Sequence, residues 1–100
     1  MALKNFGFLF TGPGLDPAHH VAVIQHGAFK CTVVGMSAPE QGLAVATHLV
    51  AQGVELIELC GGFGPVWTAK ILQCVEGKVP VGSVAYGPES IQGMAALFPD

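Results

Sequence analysis

The sequence predicts an α/β domain, a small open and mostly parallel sheet of four to five strands with helices packed on it, flavodoxin-like. Three observations predict it. Apolar, strand-like runs alternate with helical segments of about a dozen residues, the pattern of right-handed βαβ units. Glycine-rich corners stand where most of those runs end, as at Thr11-Gly12-Pro13-Gly14 and Cys60-Gly61-Gly62-Phe63-Gly64. The length of 100 residues is that of one small domain, read here as spanning 1–100.

The first run, Asn5–Thr11, is apolar throughout and is expected to be a central strand. Residues 13–28, PGLDPAHHVAVIQHGA, admit two readings. Asp16-Pro17 can start a helix that Gly27 stops, or Val21, Val23 and Ile24 can run extended into a hairpin turn at His26-Gly27. The next strand, Phe29–Gly35, carries Lys30 and Thr32 and is expected at an edge of the sheet.

Ser37-Ala-Pro-Glu40 reads as a capping box, with Gly53 as the stop of the helix that follows. At about 100° per residue, Glu40, Gln41, Ala44, Thr47, His48, Ala51 and Gln52 share one arc. Leu43, Val45, Ala46, Leu49 and Val50 share the other, which makes the helix amphipathic. Gly42 falls on the apolar arc, at a cost of about 1 kcal/mol against Ala, and predicts close approach to the sheet.

Glu55–Cys60 is the second central strand, and Pro65–Glu76 the second helix, stopped by Gly77. A last strand, Val79–Tyr86, leads to a helix over Pro88–Leu97 with Ile91, Met94 and Phe98 at core spacing. Gly64-Pro65 and Gly87-Pro88 open their helices alike, because proline suits the first turn.

Ligands of open parallel sheets bind outside the carboxyl ends of the strands. That rim gathers Gly12, Ser37, Cys60, Gly61, Gly62, Phe63, Tyr86 and Gly87, with Glu58 just inside. Backbone N–H groups of a glycine corner at a helix start can hold an anion, or the glycines simply turn a strand into a helix. The run is neither a G-x-G-x-x-G fingerprint nor a phosphate loop with its lysine. Cys60 is a candidate nucleophile or a small buried apolar side chain. Glu58 alternates with Ile57 and Leu59 in a run that should be apolar, so it faces a pocket, a lysine or a wet interface.

Composition narrows the function further. Apolar residues make up 51% and charged ones 11%, against about 25% charged in an ordinary domain. So small a chain with so few charges must expose apolar surface, which predicts a homo-oligomer, most simply a two-fold dimer. There is no arginine, the lysines are Lys4, Lys30, Lys70 and Lys78, and the net charge is −3, which argues against a nucleic-acid partner.

Cys31, Cys60 and Cys74 form no C-x-x-C pair, and an odd number of cysteines suits reduced thiols in a cytoplasm. His19, His20 and His26 beside Asp16 fit no standard metal spacing, so no metal or cofactor is expected. The opening residues lack a signal-peptide pattern, and the uncharged stretch from Gln41 to Val54 is too short and polar for a membrane span. Trp67 is expected in core or interface packing, and His48 in solvent.

Three functional readings follow. One is a non-catalytic oligomeric domain binding a small, anionic metabolite at the strand-end rim. Another is a small enzyme using Cys60 as nucleophile or Glu58 as base, helped by His19, His20 or Tyr86. A third reading makes the chain a purely structural assembly subunit, its rim buried between copies.

The stretches VELIELCGGFGPVWTAKI and GKVPVGSVAYGPESI, with LDPAHH and TVVGMSAPEQGLAVATHLVAQG, resemble a family of short bacterial proteins grouped as a domain of unknown function, family 6506. The I-E-L-C-G-x-F-G element, Ile57 to Gly64, is the most specific part. The resemblance implies a free-standing α/β domain and carries no activity or catalytic residues. The helices here are rich in alanine and glycine where such relatives have charged ones, so the oligomer is free to differ.

Overall fold

Asn5–Thr11 forms β1, the middle of a five-stranded sheet, in a computed structural model that describes residues 2–99. The chain continues through β2 (Val21–His26), β3 (Phe29–Met36), α1 (Gln41–Ala51), β4 (Leu56–Leu59), α2 (Gly64–Cys74) and β5 (Val81–Ser83). A 3-10 turn at Pro88–Ser90 then leads into α3 (Ile91–Leu97). The sheet order is β2-β3-β1-β4-β5, parallel except for β2, which runs antiparallel to β3. The expected mixed, mostly parallel α/β architecture is what forms.

Residues 13–28 resolve as the hairpin. Gly27, at φ +58°, is the first residue of a two-residue loop joining His26 to its partner Phe29, the position where a type II′ turn requires glycine. Asp16-Pro17 makes only one turn, in which Asp16 Oδ1 accepts from the Ala18 N–H at 2.8 Å. β2 therefore takes the outer place, and β3, with Lys30 and Thr32, is an interior strand flanked by β1 and β2. Thr32 is buried, at 7% exposure. This corrects the expected edge position. A polar residue on an interior strand is tolerated here because the outer strand next to it leaves a groove open at its side.

The hairpin also decides the layering. In a flavodoxin-like sheet the crossover from the first strand to its neighbour is a helix on the face opposite the others. Here a strand replaces it, so only one face is covered. The strand members of the core are Leu9, Val34, Met36, Ile57 and Leu59, all on that face. α1 lies over β1 and β3, and α2 over β5, closing the core with Ala46, Leu49, Phe63, Ile71 and Val75.

α1 buries the predicted arc through Gly42, Ala46 and Leu49. Its end is a Schellman motif, with Val54 N–H donating to Leu49 O at 3.1 Å and Gly53 N–H to Val50 O at 3.0 Å. Gly53 takes the left-handed position at φ +95°. Its start differs from the expected capping box. Glu40 precedes the helix and makes no side-chain cap. Gln41 Oε1 instead accepts from the Ser37 and Ala38 N–H groups at 2.9 and 3.1 Å, because a turn closed by Gln41 N–H on Ala38 O moves the N-cap from Ser37 to Glu40. The close approach at Gly42 is made by Phe63 and Ile71, the α2 side, and not by the sheet.

α2 ends two residues earlier than expected, at Cys74, with Glu76 itself at φ +58° ahead of Gly77. Trp67 is half-buried against the core, with Lys70 Nζ 4.4 Å above its ring. No helix among the described residues is long and apolar enough to cross a membrane.

The entry to β1 is clipped to the entry of β4. Lys4 and Asn5 N–H groups donate to Glu55 Oε1 at 2.8 and 2.9 Å. These two bonds hold the Glu55 carboxyl below its ordinary 4.5. A lowered folded value means the clip contributes fully above about 4.5 and is lost as pH falls through the lower folded value. Glu55→Gln is therefore expected to flatten the acid limb of stability against pH below about 4.5. Denaturant melts across that window check this, and an unchanged limb in the variant rules the clip out.

Candidate functional site

The parallel strands β3, β1, β4 and β5 bring their carboxyl ends to one rim. There the Cys60 N–H donates to Leu9 O and the Val84 N–H to Leu59 O, both at 2.9 Å, which carries the sheet pairing beyond β4 and β5. Next comes the corner itself. The Phe63 N–H donates to Cys60 O at 3.1 Å, closing a tight turn with Gly61 and Gly62 at its centre. Phe63 then turns inward and is only 3% exposed, pinning the corner to the core.

The two central glycines are needed for space. A Cβ on Gly62 would lie 2.5 Å from Thr11 Oγ1 and 3.4 Å from Cys60 Sγ. One on Gly61 would lie 3.3 Å from Val84 O and 3.6 Å from the Tyr86 ring. The corner thus sits hard against the ends of β1 and β5. Cys60 is half-buried, its Sγ accepting from the Thr11 N–H at 3.4 Å with Thr11 Oγ1 at 3.7 Å.

α3 stands across from this corner and completes a cleft of ≈ 480 Å³. Thr11, Cys60, Gly61, Gly62 and Tyr86 line one side, and Met94, Leu97 and Phe98 the other. The volume falls within the range of about 300–1,000 Å³ usual for small-molecule sites. The corner side offers a hydroxyl, a thiol and a phenol. The Gly61 and Gly62 N–H groups make no hydrogen bond within the described residues, so they are left for solvent or a ligand.

Cys60, Gly61, Gly62 and Tyr86 are thus the residues expected at the rim that the cleft brings together. Gly12 lies beside it, its N–H donating to Met36 O at 2.9 Å and its Cα under Leu15. Ser37 is engaged with Gln41 at the start of α1. Gly87 leads into the 3-10 turn, close to Glu89. Phe63 is in the core.

Glu58 lies on the uncovered face and lines a separate hollow with Gly82, Ser83 and Val84. Burial first and the Glu58 carboxylate second push the Cys31 thiol up from its ordinary value, as fits two side chains on one sheet face. Asp16 and His20 are engaged with each other, the Asp16 N–H donating to His20 Nδ1 at 2.8 Å.

Met94, Leu97 and Phe98 are the cleft residues that sequence reasoning missed, while Thr11 was read only as part of the first glycine corner. Thr11 closes the first strand, so its place at the rim was readable. Met94 and Phe98 were assigned to the core by spacing, but Phe98 is 64% and Ile91 62% exposed, because α3 leans on the rim and not on the sheet face. A second groove of ≈ 350 Å³ runs between β2 and α1, with Thr32, His48 and Gln52 among apolar neighbours. Its described lining holds the start of β2 but no carboxyl end of a strand.

A family model for a family of unknown function, DUF6506, matches residues 4–99, and the chain belongs to that family. No curated protein and no solved structure matches the chain.

Proposed function

With no activity attached to family membership, we propose that this chain is a small-molecule-binding domain whose strand-end cleft takes a metabolite with an anionic head and an apolar body. One observation carries the reading: a single cleft has polar groups and unpaired N–H groups on its strand-end side and only apolar side chains on its α3 side. A carboxylate on the Cys60–Gly62 corner would meet those N–H groups near the start of α2, where the helix dipole favours negative charge. The apolar body would cover Met94, Leu97 and Phe98. No lysine lines the cleft, which favours a singly charged carboxylate over a phosphate.

One contact favours a second reading, a cysteine nucleophile. The Thr11 N–H holds Cys60 Sγ at the rim. The described lining includes no imidazole or carboxylate to move a proton, and Glu58 opens elsewhere, so binding without turnover is the better-supported function.

Nitrogen-15 NMR titrations with octanoate and with inorganic phosphate test the reading. Octanoate is expected to shift the Gly61, Gly62 and Tyr86 resonances and to saturate, and phosphate alone is not. Gly62→Ala, whose methyl group must displace Thr11, is expected to weaken octanoate at least tenfold. Silence of all three resonances up to about 10 mM octanoate, where even ~3 kcal/mol of binding would register, removes the proposal.

A further inference from the structure

The face of the sheet opposite α1 and α2 has no helix on it. It presents Phe6, Phe8 and Phe10 of β1 between Ile24 of β2, Phe29 of β3 and Leu56 of β4. The half-buried β1 rings form two pairs, Phe8 on Phe10 with centroids 6.4 Å apart and Phe6 against Phe29 at 5.9 Å. Ile24 is 64% and Phe29 41% exposed. Glu58 is the acidic residue on this face. It stands next to β1, in register with Phe8, and Gly82 of β5 on its other side leaves it open to water.

Area decides what covers such a face. A folded monomer of 10.3 kDa is expected to expose about 5,400 Å². This chain exposes 6380 Å², an excess of about 1,000 Å². A stable interface removes about 800 Å² per partner, so the whole-chain excess, to which the exposed side chains of α3 also contribute, is the size of one such contact. The radius of gyration tells the same story, 14.1 Å against about 13 Å for a compact chain of this length. The chemistry suits an interface core on the β1–β3–β2 side, where Phe6, Phe8, Phe10, Phe29 and Ile24 bring no charge.

We propose that this aromatic sheet face is the docking surface for a second copy of the chain, forming a two-fold dimer in which the two sheets pack face to face. A two-fold axis on the β3 side of the β1 phenylalanines, away from Glu58, sets the same patch against itself, as an isologous contact requires. Sheets packed this way lie about 10 Å apart with interleaved side chains. Each Glu58 then lies on the β4 side of the contact, open to water over Gly82. The arrangement leaves the strand-end cleft untouched and does not depend on any ligand.

Sedimentation velocity at about 10 µM, in the affinity range of ordinary interfaces, tests the proposal. The unaltered chain is expected to run as a dimer. Ile24→Lys and Phe8→Lys are each expected to raise the dissociation constant at least 100-fold while circular dichroism stays native. Ile24 is mostly exposed in the single chain, so its variant decides the matter if Phe8→Lys fails to fold. Leu97→Lys, on α3, is expected to leave the dimer intact. A monomeric unaltered chain overturns the proposal. So does a dimer that survives Ile24→Lys, which would point to pairing along the β2 edge, or one that Leu97→Lys dissolves.

Discussion

Phe63→Ala is expected to lower stability by about 3–5 kcal/mol and to abolish octanoate binding with it. Phe63 is 3% exposed and packs against Ile71 and the backbone of Gly42, where its ring leaves no room for a Cβ. Removing the ring opens a cavity between α1 and α2 and also frees the corner from Cys60 to Gly64, whose glycines have no other side chain to hold them. A domain of this size has about 5–15 kcal/mol to lose, so the variant sits near unfolding. Denaturant unfolding measures the loss, and Phe63→Leu separates the two roles. It refills most of the volume and is expected to recover stability to within about 1.5 kcal/mol and to restore binding. A loss below about 1 kcal/mol in Phe63→Ala, the ordinary cost of an average substitution, would show that the ring is no anchor.

Gly42→Leu attacks the same junction from the other side. A Cβ at Gly42 would stand 2.9 Å from the Phe63 ring and 3.1 Å from Ile71 Cδ1, both buried and unable to withdraw into solvent. Overpacking of this kind costs about 1–3 kcal/mol, or more where the backbone has to shift. Helix propensity alone predicts the opposite, a gain of up to about 1 kcal/mol on replacing a helical glycine. The sign of the measured change therefore tells which effect governs. Gly93→Ala in α3, where nothing lies within 4 Å of the added carbon, is the control expected to gain that amount.

The amino-acid order by itself determined the local elements. Strand and helix periods, the Gly53 stop and the apolar arc of α1 all depend on neighbours within a few residues, and they stand almost where the sequence places them. The I-E-L-C-G-G-F-G corner was legible as a tight strand-to-helix turn at the sheet rim, because glycine and proline restrict the backbone without reference to the rest of the chain.

The hairpin was not legible in this way. Val21 to His26 is exposed along its whole length, so no burial pattern separates a strand from a helix there, and only pairing with β3 settles it. That one pairing made β3 an interior strand and removed the helix that would have covered the second sheet face. α3 is the matching case. Ile91, Met94 and Phe98 have the same spacing whether a helix faces a core or a cleft, and periodicity records an apolar side without recording what lies opposite. Which residues of the rim share a cleft, and which sheet face stays bare, are properties of contacts between segments far apart in the chain. They exist only once the sheet has assembled and the helices have chosen their side.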